Sequence, residues 1–519
     1  MQPNIASEIP QSSIEGALFE LMARGKKDVF FVKDAESSTF IANPRYKPCI
    51  PFLEERRTIV PLNAQNFGSS FEVEIDSYGD IMTYCGFLID LPSWYPPLPV
   101  SQNPSGQQTD PSTVNNLYWI TDMSGHSYGY CRNIAYMLFE NIQIYQDQIL
   151  IQEWSGDGLF LEQSTEGSWN SSNLGSQISG GVELITPARA LAQRATPTQL
   201  RITIPMPGID LSQQASSSGF PLCSVPGQTF RIKCRLRKLE DLIESTHDAS
   251  DASLCVKPTP WTVPLFKYNL QTSMTSTTST VEYTFAPLQR DQISRPTILL
   301  ETIQAYIPQD VRDKIQHAPR WIIPFRQQYE NRFTIGANDY KPFDSGNIPV
   351  ISRRLDGRHI TERLQWFFRT KDAVYMNRLS DFTDPSGYAD DTIGMEGNGR
   401  EFYNQIKLVI AGRDREHLFG PGVWRNIVSL AKDEIDTGYL FGEMRWNLGD
   451  LWERERPVSR LPEGGVNFST ADRPTLHIQL ADIPVSRVSG MKEAELRVFC
   501  EAWNMYVIEG GRGRMMFAN

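Results

Sequence analysis

The chain has 519 residues, a formal net charge of -11, 40% hydrophobic residues and 21% charged ones. By length this suggests about three domains, or two large β domains, with apolar material for more than one core. The acidic balance argues against a nucleic-acid coat, no run reaches the ~18 apolar residues of a membrane span, and the opening lacks a signal peptide's basic start and apolar core.

In chain order, "SSIEGALFELMARG" reads as a short helix, with Ser12 or Ser13 as cap and Gly25 as stop. "SFEVEID" alternates Phe71, Val73 and Ile75 against Glu72, Glu74 and Asp76, the signature of a half-buried strand. "IMTYCGFLIDLP" follows the turn "SYGD" with Ile81, Cys85, Phe87 and Ile89 on one face, so the two runs are predicted to form a hairpin. The polar stretch 93–116 reads as a long loop, as do 168–181 and 211–219. "GDGLFLEQS", "PARALAQRA" and "GPGVWRNIVSLAKDE" are the other short helices. "TFRIKCRLRKL" points Phe230, Ile232, Cys234 and Leu236 one way and Arg231, Lys233, Arg235 and Arg237 the other. "TQLRITIPM", "PTLHIQL" and "AELRVFC" repeat the pattern, while "QTSMTSTTST" fits a linker or a strand. A boundary is expected near 240–260, dividing the chain into two β-rich halves.

Little in the sequence points to catalysis. There is no phosphate-binding glycine loop, no nucleophile elbow and no zinc-protease motif. The six histidines are dispersed, and the seven cysteines are scattered, which fits free thiols in a reducing compartment better than a disulfide framework. No metal, cofactor or catalytic residue is therefore expected. Asp390 and Asp391 read as a solvated loop, and the cationic row at 231–237 as a charged outer strand face. "GGRGR" reads as a glycine-permitted turn near the C-terminus. Two sequons occur. Asn170 lies in a polar loop, the better setting for a glycan; at Asn467, beside a strand, Asn467 and Ser469 are expected to bond the backbone while Phe468 anchors the turn.

The C-terminal stretches "LPEGGVNFSTADRPTLHIQL" and "ELRVFCEAWNMYVIEGGRGRMMFAN" combine Pro462, Gly465, Asn467, Phe468, Ser469, Asn504, Gly510, Gly511, Gly513, Phe517 and Asn519 in one order. This resembles the closing segment of the major capsid proteins of nucleocytoplasmic large DNA viruses: iridoviruses, phycodnaviruses, marseilleviruses and asfarviruses. The opening "GALFELMARGKKDVFFV", the run carrying Phe67, Gly68, Gly79, Asp80, Leu91 and Pro92, and the middle segment "GFPLCSVPGQTFRIKCRLRKLEDLI" resemble the same family. The 93–133 and 380–460 regions match no family pattern.

The resemblance implies an all-β double jelly roll: two tandem eight-stranded sandwiches with short helices in the connections. Its expected divisions are an N-terminal arm over 1–26, a first jelly roll over 27–245, a linker over 246–260 and a second jelly roll over 261–519. It implies a non-enzymatic virion protein, assembled in the host cytoplasm into homotrimeric, pseudo-hexagonal capsomers. Its partners would be neighbouring capsomers, minor capsid and penton proteins, and an internal lipid membrane reached through other proteins, with no direct nucleic acid. The alternatives are a minor or paralogous capsid protein, a β-sandwich carbohydrate-binding protein using Trp94, Tyr95 and Trp119 as exposed aromatics, and a β-rich hydrolase.

Overall fold

The computed structural model describes residues 52–96, 117–166, 199–209, 219–245, 257–274, 277–382, 401–414, 418–424, 441–446 and 464–517. The chain divides into a unit Met1–Phe52 and a unit Leu53–Asn519, and all the sheets described belong to the second. The expected N-terminal arm and helix, the loop around Asn170, Asp390 and Asp391, and most of the 246–260 linker lie outside the described residues.

Two four-stranded antiparallel sheets make the first sandwich. One orders its strands Leu53–Ile59, Thr297–Tyr306, Ile81–Asp90 and Leu200–Thr203; the other Ser70–Ile75, Phe230–Leu236, Phe139–Gln146 and Ile149–Ser155. Alternation creates the inner faces. Phe230, Ile232, Cys234 and Leu236 are buried while the residues between them are exposed, and Phe71 meets Phe87 edge-on across the sandwich at 6.0 Å.

The predicted hairpin between 70–75 and 81–90 does not form, because each run belongs to a different sheet. The chain turns a corner at Tyr78-Gly79, whose backbone N–H groups donate to Gln304 Oε1 at 3.1 and 2.8 Å. With its turn donors held by a side chain from a third strand, "SYGD" crosses between sheets rather than folding back. A register shift opposite Ile303/Gln304 also moves Met82 inward in place of Ile81, so the face read from the sequence changes hands at the bulge.

Strands Phe266–Met274 and Thr277–Phe285 pair with each other, so residues 271–274 and 277–280 of "QTSMTSTTST" are strand. The first of them adds to Leu117–Asp122, and Thr297–Tyr306 lies inside the first sandwich, so two of the first three strands beyond the expected linker pair directly with the first half.

The second sandwich sets Trp321–Ile335, Ala494–Glu509, Ile360–Thr370 and Gly442–Arg445 against Val350–Arg354, Thr475–Leu480, Tyr403–Ile410 and Arg413–Asp414. Its core is built on Trp366, Phe368, Ile406, Leu408, Ile478, Leu496 and Val498. Near the C-terminus, Arg512–Met515 folds back on the 16-residue strand Ala494–Glu509. Gly510 (φ 59°) and Gly511 (φ 77°) make that two-residue turn, the left-handed pair a tight hairpin requires.

Candidate functional site: the seam between the sandwiches

Chemistry-bearing side chains concentrate where the sandwiches meet. Helix Gly156–Glu166 leaves the last strand of the first sandwich at Gly156, where a Cβ would lie 2.2 Å from the Tyr136 carbonyl oxygen. That close approach carries the next residue, Asp157, fully inside. Three guanidiniums converge on it: Arg497 Nη1 at 2.6 Å, Arg237 Nη2 at 3.1 Å and Arg369 Nη2 at 3.2 Å. Arg237 comes from the first sandwich and the other two from the second. Burial alone would raise the Asp157 pKa, but Arg369, Arg497 and Arg237 together hold it well below the carboxylate range. Glu495 and Glu330 supply further negative charge, at 2.8 Å from Arg369 and 3.2 Å from Arg497.

A second knot lies on the same helix. Buried Arg363 bonds both Glu162 of the helix and Glu501 of the long strand. Arg326 contacts Glu362 at 3.2 Å and Glu501 at 3.3 Å while its guanidinium lies 4.8 Å from the Trp503 ring.

Glutamines join two sheet edges further along. Gln152 Nε2 donates to the Arg326 carbonyl at 2.8 Å, and Gln327 Nε2 donates to the Ile151 carbonyl at 2.6 Å. The strands Ile149–Ser155 and Trp321–Ile335 thus satisfy each other through side chains where no backbone ladder joins them. Tyr506 OH donates to Gln146 Oε1 at 2.7 Å, and Asn377 Nδ2 donates to the Glu240 and Ile243 carbonyls at 2.7 Å each. Phe382 stacks on Phe367 through the middle, centroids 4.3 Å apart, and meets the tilted ring of Phe160 at 6.1 Å.

The C-terminal motif residues support this arrangement from the far end. Gly465 lies at φ 157°, and a Cβ there would meet the Thr361 carbonyl oxygen at 2.7 Å. Asn467 Oδ1 accepts from the N–H groups of Ser469 (3.0 Å) and Thr470 (3.3 Å). Ser469 Oγ accepts from His359 N–H at 2.8 Å, and Phe468 N–H donates to the His359 carbonyl at 2.8 Å. Phe468 is buried 5.9 Å from Trp446. The ring of Phe517 lies 5.6 Å from that of His359, and Asn504 Nδ2 donates to the Phe517 carbonyl (3.1 Å) and to Gln327 Oε1 (2.8 Å). His359 therefore links the turn to Phe517; with φ at 58° it is one of six non-glycine residues in the left-handed region among the described residues. Gly511 stands apart from this group, in its hairpin turn.

The cationic row of 231–237 resolves into two environments. Arg231, Lys233 and Arg235 face outward, each beside a carboxylate: Glu74 at 3.3 Å, Glu72 at 3.5 Å and Glu140 at 2.8 Å. Arg237 instead turns into the seam, because the strand ends at Leu236 and alternation ends with it. Trp94 and Tyr95, expected as exposed sugar-binding aromatics, are buried in a ring cluster with Tyr130 and Phe266. Cys223 and Cys234 are buried free thiols. Among the described residues no group of three or more His, Cys, Asp or Glu is placed to hold a metal ion, and no helix is long and apolar enough to cross a membrane.

The sequence did not point to Asp157, Arg369, Arg497, Arg363, Glu501 or His359. A signal was available in "ITERLQWFFRT" and "AELRVFCEAW", where charges interrupt runs that are apolar on both faces.

No protein-family model matches the chain, and no curated protein matches it. Solved structures do. The PBCV-1 virus capsid aligns at TM-score 0.59 and 14% identity, over 91% of this chain and 98% of that one. PBCV-1 VP54, from a crystal structure fitted into a reconstruction of the virophage Sputnik, aligns at 0.56 and 13%, over 91% and 98%. The Faustovirus major capsid protein aligns at 0.56 and 12%, over 94% of each chain. The chain is all-β and shares with these capsid proteins a double jelly-roll fold that extends over nine-tenths of its length.

Proposed function

We propose that this chain is a major capsid protein: a structural tile of the icosahedral shell of a large DNA virus, located in the virion and acting without catalysis. The observation that carries the reading is a fold match that takes in nearly all of both chains, so that both sandwiches fall within the aligned length. The tile is a homotrimer in which six jelly rolls give a pseudo-hexagonal outline, and its contacts are with neighbouring capsomers and with minor capsid and penton proteins. The first jelly roll runs to Tyr306 and the second begins at Trp321, a division supported by the strand pairing.

The seam suits such a role. A shell unit must keep its two sandwiches in one relative orientation, and directional ionic contacts fix orientation better than apolar packing alone. Negative-stain microscopy of the purified protein tests the proposal. Compact trimers with a hexagonal outline are expected; single chains at high concentration would overturn it. The minor-capsid alternative differs in copy number per virion, which quantitative mass spectrometry of purified particles reads directly.

A further inference from the structure

The two sandwiches repeat one plan. The order Leu53–Ile59, Thr297–Tyr306, Ile81–Asp90, Leu200–Thr203 in the first corresponds to Trp321–Ile335, Ala494–Glu509, Ile360–Thr370, Gly442–Arg445 in the second. The facing sheets correspond likewise, so Ile149–Ser155, last in its sheet, matches Arg413–Asp414, last in the other. Phe419 prolongs that second edge by bridging Ile406. The match continues in the letters. Gly156-Asp157-Gly158-Leu159-Phe160 opens the helix after Ser155, and Gly420-Pro421-Gly422-Val423-Trp424 runs into the helical turn 421–424. Gly156 stands as far beyond Ile149 as Gly420 stands beyond Arg413.

Inside the chain, the edge Ile149–Ser155 is closed by Trp321–Ile335, the first strand of the other sandwich. The two strands run the same way. Tyr506, opposite Ile323, bonds Gln146 just ahead of the edge; Gln327 bonds the Ile151 carbonyl; and Arg497, opposite Arg332, bonds Asp157 just after it. Under this cover Trp154 and Leu159 are buried, whereas their counterparts Leu418 and Val423 are each 42% exposed. The counterpart of the covering strand is open as well. Leu53–Ile59 pairs on one side with Thr297–Tyr306, and no described strand pairs with its other side. Leu53 is 68% exposed and Val60, just past the strand, 70%. Exposed apolar side chains thus stand on both edges that would make a second seam.

We propose that the edge carrying Leu418 and Val423 packs against Leu53–Val60 of a second copy of this chain, repeating between chains the relation that Ile149–Ser155 has to Trp321–Ile335 within one. The contact is head-to-tail: each copy gives one edge and receives on the other, and three copies close a ring of six sandwiches with internal and external seams in alternation. Strands that meet at the internal seam run the same way, so repeating it turns no copy over. Pro421 stands where Asp157 stands, so the external seam has no counterpart of that carboxylate and rests on apolar contact, as permanent assemblies do. This deepens the tile reading and rests on it for the number of copies.

Analytical ultracentrifugation of the full-length protein tests the two edges separately. Leu418→Asp with Val423→Asp disables one edge, and Leu53→Asp with Val60→Asp the other. Each double variant is expected to give single chains where the wild type gives trimers, with near-ultraviolet circular dichroism unchanged. Met491→Asp, an exposed apolar site on neither edge, is expected to keep the trimer. A mixture of the two double variants is expected to give a two-chain species and nothing larger, because each retains one edge and the ring cannot close. Trimers that persist in either double variant, or that form in the mixture, would overturn the external seam and leave the tile reading standing; so would loss of the trimer in Met491→Asp. A wild type that stays single-chain at high concentration would overturn the tile reading and this seam with it. Should a double variant fail to fold, Val423→Asp alone and Leu53→Asp alone carry the same test.

Discussion

The seam and the outer face of the Ser70–Leu236 sheet use the same side-chain types toward different ends. On the outer face, Lys233 and Glu72 are 3.5 Å apart and substantially exposed, so water and salt screen what they gain from each other. In the seam, Asp157 and Arg369 are buried, and neither can recover its hydration if the other is lost. Distance alone hardly separates the two settings. Whether solvent can replace a missing partner decides which pairs matter.

The largest effect is expected from Asp157→Asn, which leaves three guanidiniums without their shared counter-charge. A loss of about 3–5 kcal/mol of unfolding free energy is expected by denaturant titration. If the loss were no larger than for an exposed pair, the contrast between the two regions would fail. Acid sharpens the same contrast. Because the folded-state pKa of Asp157 is depressed, its contribution is complete above the ordinary carboxylate pKa and is lost only as pH falls through the lower folded value. Near-ultraviolet circular dichroism of the seam aromatics is therefore expected to hold steady from pH 7 to about pH 4, the ordinary carboxylate range. Early loss in that window would show that Asp157 is not held as described.

A smaller change is expected at the turn. Asn467→Ala removes the acceptor for two backbone N–H groups at an exposed site, at a cost of about 1 kcal/mol in unfolding free energy. The smallest comes from Lys233→Ala, expected to shift stability by less than about 1 kcal/mol and less still in high salt.

The legible parts of this fold were those with one wet face. Phe230–Leu236 and Ser70–Ile75 alternate cleanly because water contacts every second residue, and their extents follow from pattern alone. Which strand each pairs with was not legible: the expected 70–90 hairpin fails because the turn is held by Gln304, more than 200 residues away. The Gly510-Gly511 turn was readable because its backbone conformation demands glycine. The seam was not, since a buried Asp157 or Arg363 is the same letter as a solvated one and only its surroundings distinguish it. Trp94 and Tyr95 misled for the same reason: a proline-rich neighbourhood suggested a surface loop, while the rings pack inward. In the Asn467 turn, the local bonds were foreseen and the long-range anchor on His359 was not.

The strand Ala494–Glu509 sends Leu496, Val498 and Cys500 into one core and Phe499, Tyr506 and Ile508 into the other. A single stiff ribbon thus belongs to both sandwiches, and the Asp157 and Arg363 knots fasten the neighbouring helix along it. Stress applied to either sandwich passes along this strand to its companion. A shell made of such units would take up curvature and strain where one tile meets the next, and each tile would behave as a plate that does not bend.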